Sequence, residues 1–178
     1  HVIFEFTNGS KLFFNDTRQF GWVKLLNQKE LVQENKKYGP EPLTKKFTFE
    51  KFKALFAGRS GVIKPLLMNA RFIAGIGNIY AQEALFCARI KPTRKANKIS
   101  QPELKKLYTC LRKILKQAID KKGTSSRDYV DAFGRQGSMN DFLKVYGRAG
   151  EKCKKCGTKL KQIRQAQRST VYCLKCQK

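Results

Sequence analysis

Acidic residues are scarce in this chain: 13 Asp and Glu stand against 38 Lys and Arg among 178 residues, leaving a formal charge of +25. Such a surplus opposes compaction by self-repulsion and calls for a polyanionic partner, nucleic acid first and an anionic membrane second. Runs of 18 apolar residues are also missing, as is any apolar stretch resembling the core of a secretory signal. The first absence excludes a membrane-spanning helix from these residues, and the expected partner becomes nucleic acid rather than a membrane. No long repeat occurs, and no low-complexity tract beyond Lys-rich patches. An opening Met is lacking too. The sequence starts at His1 in the middle of an apolar alternation, and a fragment or processed product is the expectation.

What is present argues for a folded chain. Hydrophobic residues make up 41% and Phe occurs 13 times, enough for a core plus a small module. From Val2 to Phe14 apolar residues alternate around Asn8-Gly9, a hairpin signal because both turn positions need positive φ. Phe20 to Leu26 reads as a further strand. Lys36 to Pro42 has no period and two prolines, and reads as a linker and domain boundary. Beyond it the period turns helical. Thr48 caps a helix burying Phe52, Leu55 and Phe56 that stops at Gly58, and a short helix covers about 62–68. Ser100-Gln101-Pro102-Glu103 forms a capping box ahead of an apolar stripe of Leu104, Leu107, Tyr108, Leu111, Ile114, Leu115, Ala118 and Ile119, closed by Gly123. Residues 124–147 read as a loop returning to a final module.

Four of the six cysteines crowd into that module: Cys153-x-x-Cys156, sixteen residues, then Cys173-x-x-Cys176. Each pair brings two thiolates to one ion, and the spacer suits a hairpin that returns the second pair. Four thiolates close a tetrahedral Zn²⁺ shell with no open position for water, so one structural zinc is expected. A redox role for the pairs is the rival reading. Cys87 and Cys110 sit singly in apolar helical surroundings. With no secretory signal, the pattern favours a metal site in a reducing compartment over disulfides. Arg168 falls in the hairpin tip at 165–170. A rigid tip can offer its guanidinium bidentately to a phosphate, though charge alone favours one more solvated cation.

Two further segments carry chemistry. Gly75-x-Gly77-Asn78 before a helical run over 79–88 aims backbone N–H groups and a positive helix end at one point, with Asn78 capping the helix and able to donate to an anion. An ordinary tight turn is an equal reading of the same residues. Arg18 and Phe20, two apart after the hairpin, suit a base-reading Arg beside a wedging Phe; a strand-end Phe with a solvated Arg fits equally.

Taken in order, NDTRQFG at 15–21, GPEPL at 39–43, IKPLLMNARFIAGIGNIYAQEALF at 63–86, RDYVDAFGRQGS at 127–138, VYGRAGEKCKKCG at 145–157 and AQRSTVYCLKCQK at 166–178 resemble the formamidopyrimidine-DNA glycosylase and endonuclease VIII family. The resemblance implies an α+β chain: the end of an N-terminal β-sandwich at 1–36, a helix-two-turn-helix domain at 37–144 and a four-cysteine zinc-finger hairpin at 145–178. It implies base-excision repair of damaged double-stranded DNA by a bifunctional glycosylase and AP lyase, monomeric, in a bacterial cytoplasm at the nucleoid. Asn78 matches the family's phosphate-binding Asn. Arg168 matches the finger Arg that grips the phosphate beside the lesion and acts as acid in the second elimination. Arg18 matches the reader of the orphaned cytosine, Phe20 the wedge beside it and Arg59 a basic DNA contact. The loop from about 131 to 140 matches the segment that closes over an extruded 8-oxoguanine. Thr17, Gln19 and Asn69 depart from the usual Pro, Arg and Asp without removing a residue of assigned chemistry.

The AQR finger and the Arg18–Phe20 loop favour the branch acting on oxidised purines, 8-oxoguanine and formamidopyrimidines. The endonuclease VIII branch for oxidised pyrimidines and a non-catalytic nucleic-acid-binding module are the alternatives. The family's attacking Pro amine, the following Glu and the hairpin Lys have no match here, so they are expected upstream of His1. The chain alone is expected to bind DNA and zinc without efficient turnover.

Overall fold

The computed structural model describes residues 2–16, 19–125 and 133–178. They form two compact units, 1–36 and 37–178.

In the first unit β1 (Val2–Glu5) pairs antiparallel with β2 (Lys11–Phe14), from Val2 opposite Phe14 to Glu5 opposite Lys11. The chain reverses at the predicted place but not with the predicted turn. A five-residue loop over 6–10 joins the strands, Phe6 N–H donates to Ser10 O and Gly9 N–H to Phe6 O, each at 2.9 Å, and of the two residues expected at positive φ Gly9 alone takes it, at +79°. Of the expected sandwich, this unit holds the two-stranded hairpin. The strand expected over Phe20–Leu26 does not form; that segment has no regular structure. It leads into a helix the sequence reading passed over, α1 (Gln28–Asn35), whose N-cap Asn27 and third residue Glu30 bond each other's backbone N–H.

The second unit contains α2 (Phe49–Leu55), α3 (Ile63–Leu67), α4 (Asn78–Ala88), α5 (Gln101–Asp120), and the hairpin of β3 (Lys161–Gln165) with β4 (Arg168–Tyr172). Its core gathers Phe52, Ile63, Leu67, Ile73, Leu85, Ile90 and Leu107, all fully buried. Phe47, Phe52, Phe56, Phe72 and Tyr108 interlock edge-on or tilted beneath α5. The apolar stripe of α5 packs on α4 and α2 as predicted except at its end, where Ile119 is 66% exposed. Ile119 lies one residue beyond the buried Ala118, on the side of the last turn that faces water. Glu103 Oε2 accepts from Ser100 N at 2.8 Å and Ser100 Oγ at 2.9 Å, fixing the start of α5. Arg94 also bonds this carboxylate, and that bond is the main reason it ionises down at about 2. No helix among the described residues is long and apolar enough to cross a membrane.

Two further readings need correction. The supposed linker is built into this unit from Gly39 onward: Gly39 N–H donates to Ala70 O at 2.8 Å, and Ala74 N–H to Pro40 O at 3.2 Å. A Cβ at Gly39 would stand 2.4 Å from Phe72 O, so glycine is required by close approach. Cys87 and Cys110, expected as isolated thiols, form a disulfide that staples α4 to α5, their Cα atoms 5.8 Å apart. Helix packing brings together two residues that lie 23 apart in sequence.

Candidate nucleic-acid interface and zinc centre

The zinc module is two turns and a hairpin. Cys153 and Cys156 lie on the first turn, where Gly157 N–H donates to Cys153 O; Cys173 and Cys176 lie on the second, where Gln177 N–H donates to Cys173 O. The four Sγ atoms lie within 4.8 Å of one another, with Cys153 to Cys176 at 4.0 Å and Cys156 to Cys173 at 3.5 Å. A tetrahedron with Zn–S bonds of about 2.3 Å has edges of about 3.8 Å, so this donor set fits one Zn²⁺. Both Cys-x-x-Cys pairs turn to one point, and the role is structural rather than redox.

β3 and β4 run antiparallel from this centre, and the chain reverses at Ala166 and Gln167, both left-handed with φ of 45° and 59°. The tip is therefore two residues long. Arg168, placed in the tip by sequence, is the first residue of β4, opposite Gln165. Its side chain is exposed.

Asn78 is the first residue of α4, and the cap is Gly77, which offers no side-chain bond. The expected capping by Asn78 is thus corrected, and the reason is local. Its Oδ1 is taken by Lys64 Nζ at 2.7 Å and Gln82 Nε2 at 3.1 Å, which turns the amide away from the helix backbone. Its Nδ2 donates to Ser169 O at 3.3 Å, so Asn78 touches the residue next to Arg168. Sequence reasoning missed all three partners that hold this amide. Lys64 is fully buried, and burial first, then the nearby Arg168 charge, bring its pKa down to about 8.

Gln82, also buried, lies one turn below Asn78 on α4. Its Oε1 accepts from Val171 N–H at 2.6 Å, and its Nε2 reaches Asn78 O at 3.0 Å and Ser169 O at 3.1 Å. One side chain thus ties the start of α4 to the strand that carries Arg168. Glu83, next in sequence, does the same for the segment entering the finger, its oxygens accepting from Lys144, Val145 and Tyr146 N–H, each at 2.9 Å. Buried polar residues on a predicted apolar helix were the available signal for both. At the other end of α4, Gln177 bonds Ile90 O and Cys173 N–H, and Lys178 N–H bonds Arg89 O.

Asn78 and Arg168 are the two candidate residues brought together. Arg59 is exposed and stacks over Phe72 with its guanidinium 5.9 Å from the ring centre. Phe20, in the first unit, is 76% exposed. Arg18 lies outside the described residues, as do residues 131 and 132 of the expected covering loop. The rest of that loop is anchored: Ser138 N–H donates to Lys121 O and Met139 N–H to Gly123 O, with the Met139 side chain buried.

Residues 38–130 match the family described as the formamidopyrimidine-DNA glycosylase H2TH domain, and residues 150–178 the zinc finger found in FPG and IleRS. Formamidopyrimidine-DNA glycosylase of Heliobacterium modesticaldum is 43% identical over 180 residues, covering 100% of this chain and 65% of that protein. Its counterpart in Desulfitobacterium hafniense is 45% identical, with 99% and 65% covered. Among solved structures, the complex of Lactococcus lactis Fpg with DNA containing an abasic site superposes with a TM-score of 0.90 at 34% identity, covering 99% of this chain and 65% of that one. MutM in complex with DNA containing carbocyclic 8-oxo-G gives 0.90 at 35% identity, with 99% and 64% covered. The chain therefore spans about 65% of the length of the curated relatives it matches.

Proposed function

We propose, because the chain belongs to the family of the formamidopyrimidine-DNA glycosylase H2TH domain, that it is the DNA-binding portion of a base-excision repair enzyme for oxidised purines. The observation that supports this most is the joining of Asn78 to the Arg168 strand through Ser169 O. An amide NH₂ has two hydrogens, and the one not given to Ser169 is available to a phosphate oxygen. Arg168 supplies a planar fork of donors for a second bond to the same backbone. The zinc centre fixes the finger turns from which that strand runs, so the guanidinium is delivered on a rigid support.

In the same reading Arg59 contacts the backbone, Arg18 reads the orphaned cytosine, Phe20 wedges into the stack next to that cytosine, and the loop over 131–140 covers the extruded base. Arg168 also serves as the acid of the second elimination. The intact protein acts as a monomer in a bacterial cytoplasm, releasing 8-oxoguanine and formamidopyrimidines and cleaving the strand by β,δ-elimination through a Schiff base. The amine, Glu and Lys for those steps lie outside these 178 residues.

The test is binding to a duplex with an abasic site across a salt series. Asn78→Ala and Arg168→Ala should each weaken affinity, and Arg168→Ala, which removes a charge, should also shallow the log–log slope by about one unit, while loss of the neutral Asn78 amide should leave the slope nearly unchanged. Unchanged affinity in both would overturn the reading. Arg18→Ala should cost roughly 1–3 kcal/mol of preference for cytosine opposite the lesion.

A further inference from the structure

At the end of α4 remote from Asn78, about 15 Å along the helix axis, a cleft of about 500 Å³ separates the start of α5 from the zinc-binding turns. Arg89, Lys106, Lys155, Lys175 and Lys178 line it, with Glu103 as the one acidic side chain. Glu103 is already committed to Arg94 and Ser100. None of the five cations has an acidic partner among the described residues. The zinc centre accounts for part of this charge, since four thiolates around Zn²⁺ leave two negative charges. That offsets two of the five cations and leaves the others uncompensated in one concavity.

The composition of the walls limits which anions the cleft suits. No aromatic ring lines the cleft, so nothing there stacks on a base. Four of the five cations are Lys, which act as flexible point charges and do not impose the planar geometry by which Arg reads a base edge. Such a lining suits phosphate charge without sequence. Both walls carry more of the same charge outside the cleft, with Lys113 exposed two turns along α5 from Lys106 and Lys154 exposed beside Lys155. An extended polyanion matches that layout better than a single small anion, which would leave the outer lysines unused.

We propose that this cleft is a second nucleic-acid surface, which holds the phosphate backbone of a duplex segment other than the one gripped at Asn78 and Arg168. The idea of two segments rests on the function proposed above, but the cleft can be tested separately from the clamp. Binding to an undamaged 20-base-pair duplex is measured for the zinc-loaded chain carrying Asn78→Ala and Arg168→Ala, with and without Lys106→Glu and Lys175→Glu. Lys106→Gln with Lys175→Gln provides a milder pair, and zinc content of one per chain confirms the fold in each. Residual binding should persist in the clamp variant and fall at least tenfold when the cleft pair is added. Its log–log salt slope should drop by about two units, one for each lysine. No residual binding in the clamp variant, or residual binding that neither cleft pair alters, overturns the proposal. Failure of the unaltered chain to prefer an abasic duplex would instead overturn the clamp function, and would leave this comparison readable.

Discussion

The Lys64 ammonium lies 2.7 Å from Asn78 Oδ1 and has no access to solvent, so the Asn78 amide is held with its oxygen inward and its NH₂ outward. The outward donor is the group a phosphate needs. Under the proposed function Lys64 orients this amide, its Nζ being bonded to Asn78 Oδ1. It sets which face of the amide is offered, and its positive charge adds to that of Arg168 behind the same point.

The lowered pKa of Lys64, about 8, gives the first prediction. A phosphate bound nearby favours the ammonium, so binding above pH 8 takes up a proton. Affinity for an abasic duplex should fall as pH rises from 8 to 9.5, by at most about tenfold per pH unit for one proton. Stability moves the other way. The folded pKa lies below the usual 10.5 of an unfolded lysine, so the unfolded state binds more protons between the two values. The contribution of Lys64 to stability therefore rises over that window and is lost as pH falls through 8. Lys64→Met should flatten both profiles. Binding that keeps its pH dependence in this variant would assign the titration to another group.

Gln82 carries the second prediction. It accepts from the buried Val171 N–H and donates to both Asn78 and Ser169. Gln82→Met keeps most of the volume but leaves Val171 N–H without its acceptor, which should cost about 1–3 kcal/mol in chemical denaturation. A structural role alone predicts no more than that. If Gln82 also aligns Asn78 with Arg168, a double-mutant cycle on DNA affinity between Asn78→Ala and Arg168→Ala should show coupling above about 0.5 kcal/mol, and Gln82→Met should reduce it towards zero. Coupling that survives intact would reduce Gln82 to a packing residue.

How much of this was legible in the sequence depended on range. The α5 capping box, the α5 stripe and the Asn8-Gly9 turn rest on neighbours within one or two turns of chain, and each formed where periodicity placed it. The zinc set was readable because its internal spacing is itself the signal. Asn27 and Glu30 gave the same local cue for α1, but the charged segment that follows them has no buried stripe to draw attention to it. Asn78 was assigned to the right helix start with the wrong partner. Its amide is claimed by Lys64, 14 residues back, and Ser169, 91 residues on, and no local pattern encodes either. Gly39 and the Cys87–Cys110 pair failed as readings for the same reason, since both depend on elements that meet only after packing.

The cysteines give a third prediction with integer outcomes. Thiol titration of the unreduced chain, denatured in the presence of a chelator, should count four reactive thiols, and reduction should raise the count to six. Zinc released in the same experiment should equal one per chain. Opening the Cys87–Cys110 bridge, which closes a loop of 23 residues, should lower stability by about 3 kcal/mol on the chain-entropy account. Cys87→Ser with Cys110→Ser should reproduce that loss without changing zinc content. Six thiols before reduction would remove the staple from the account of α4 and α5.

The last prediction separates binding from chemistry. Borohydride traps an enzyme on DNA only where an amine has attacked C1′ of the damaged nucleotide. The proposed function places that amine outside these 178 residues, while Asn78, Arg168 and the zinc finger are all within them. The zinc-loaded chain should therefore bind a duplex with 8-oxoguanine opposite cytosine, yet yield no covalent adduct under conditions that trap a full-length relative. Lys64, buried and with a pKa near 8, carries more free amine at neutral pH than an ordinary lysine, but its Nζ is bonded to Asn78 and enclosed by the core. A strong adduct lost in Lys64→Met would show that this lysine leaves its pocket to react. An adduct that survives the substitution would place the nucleophile elsewhere in the chain, and in either case these residues would have to be treated as an enzyme in their own right.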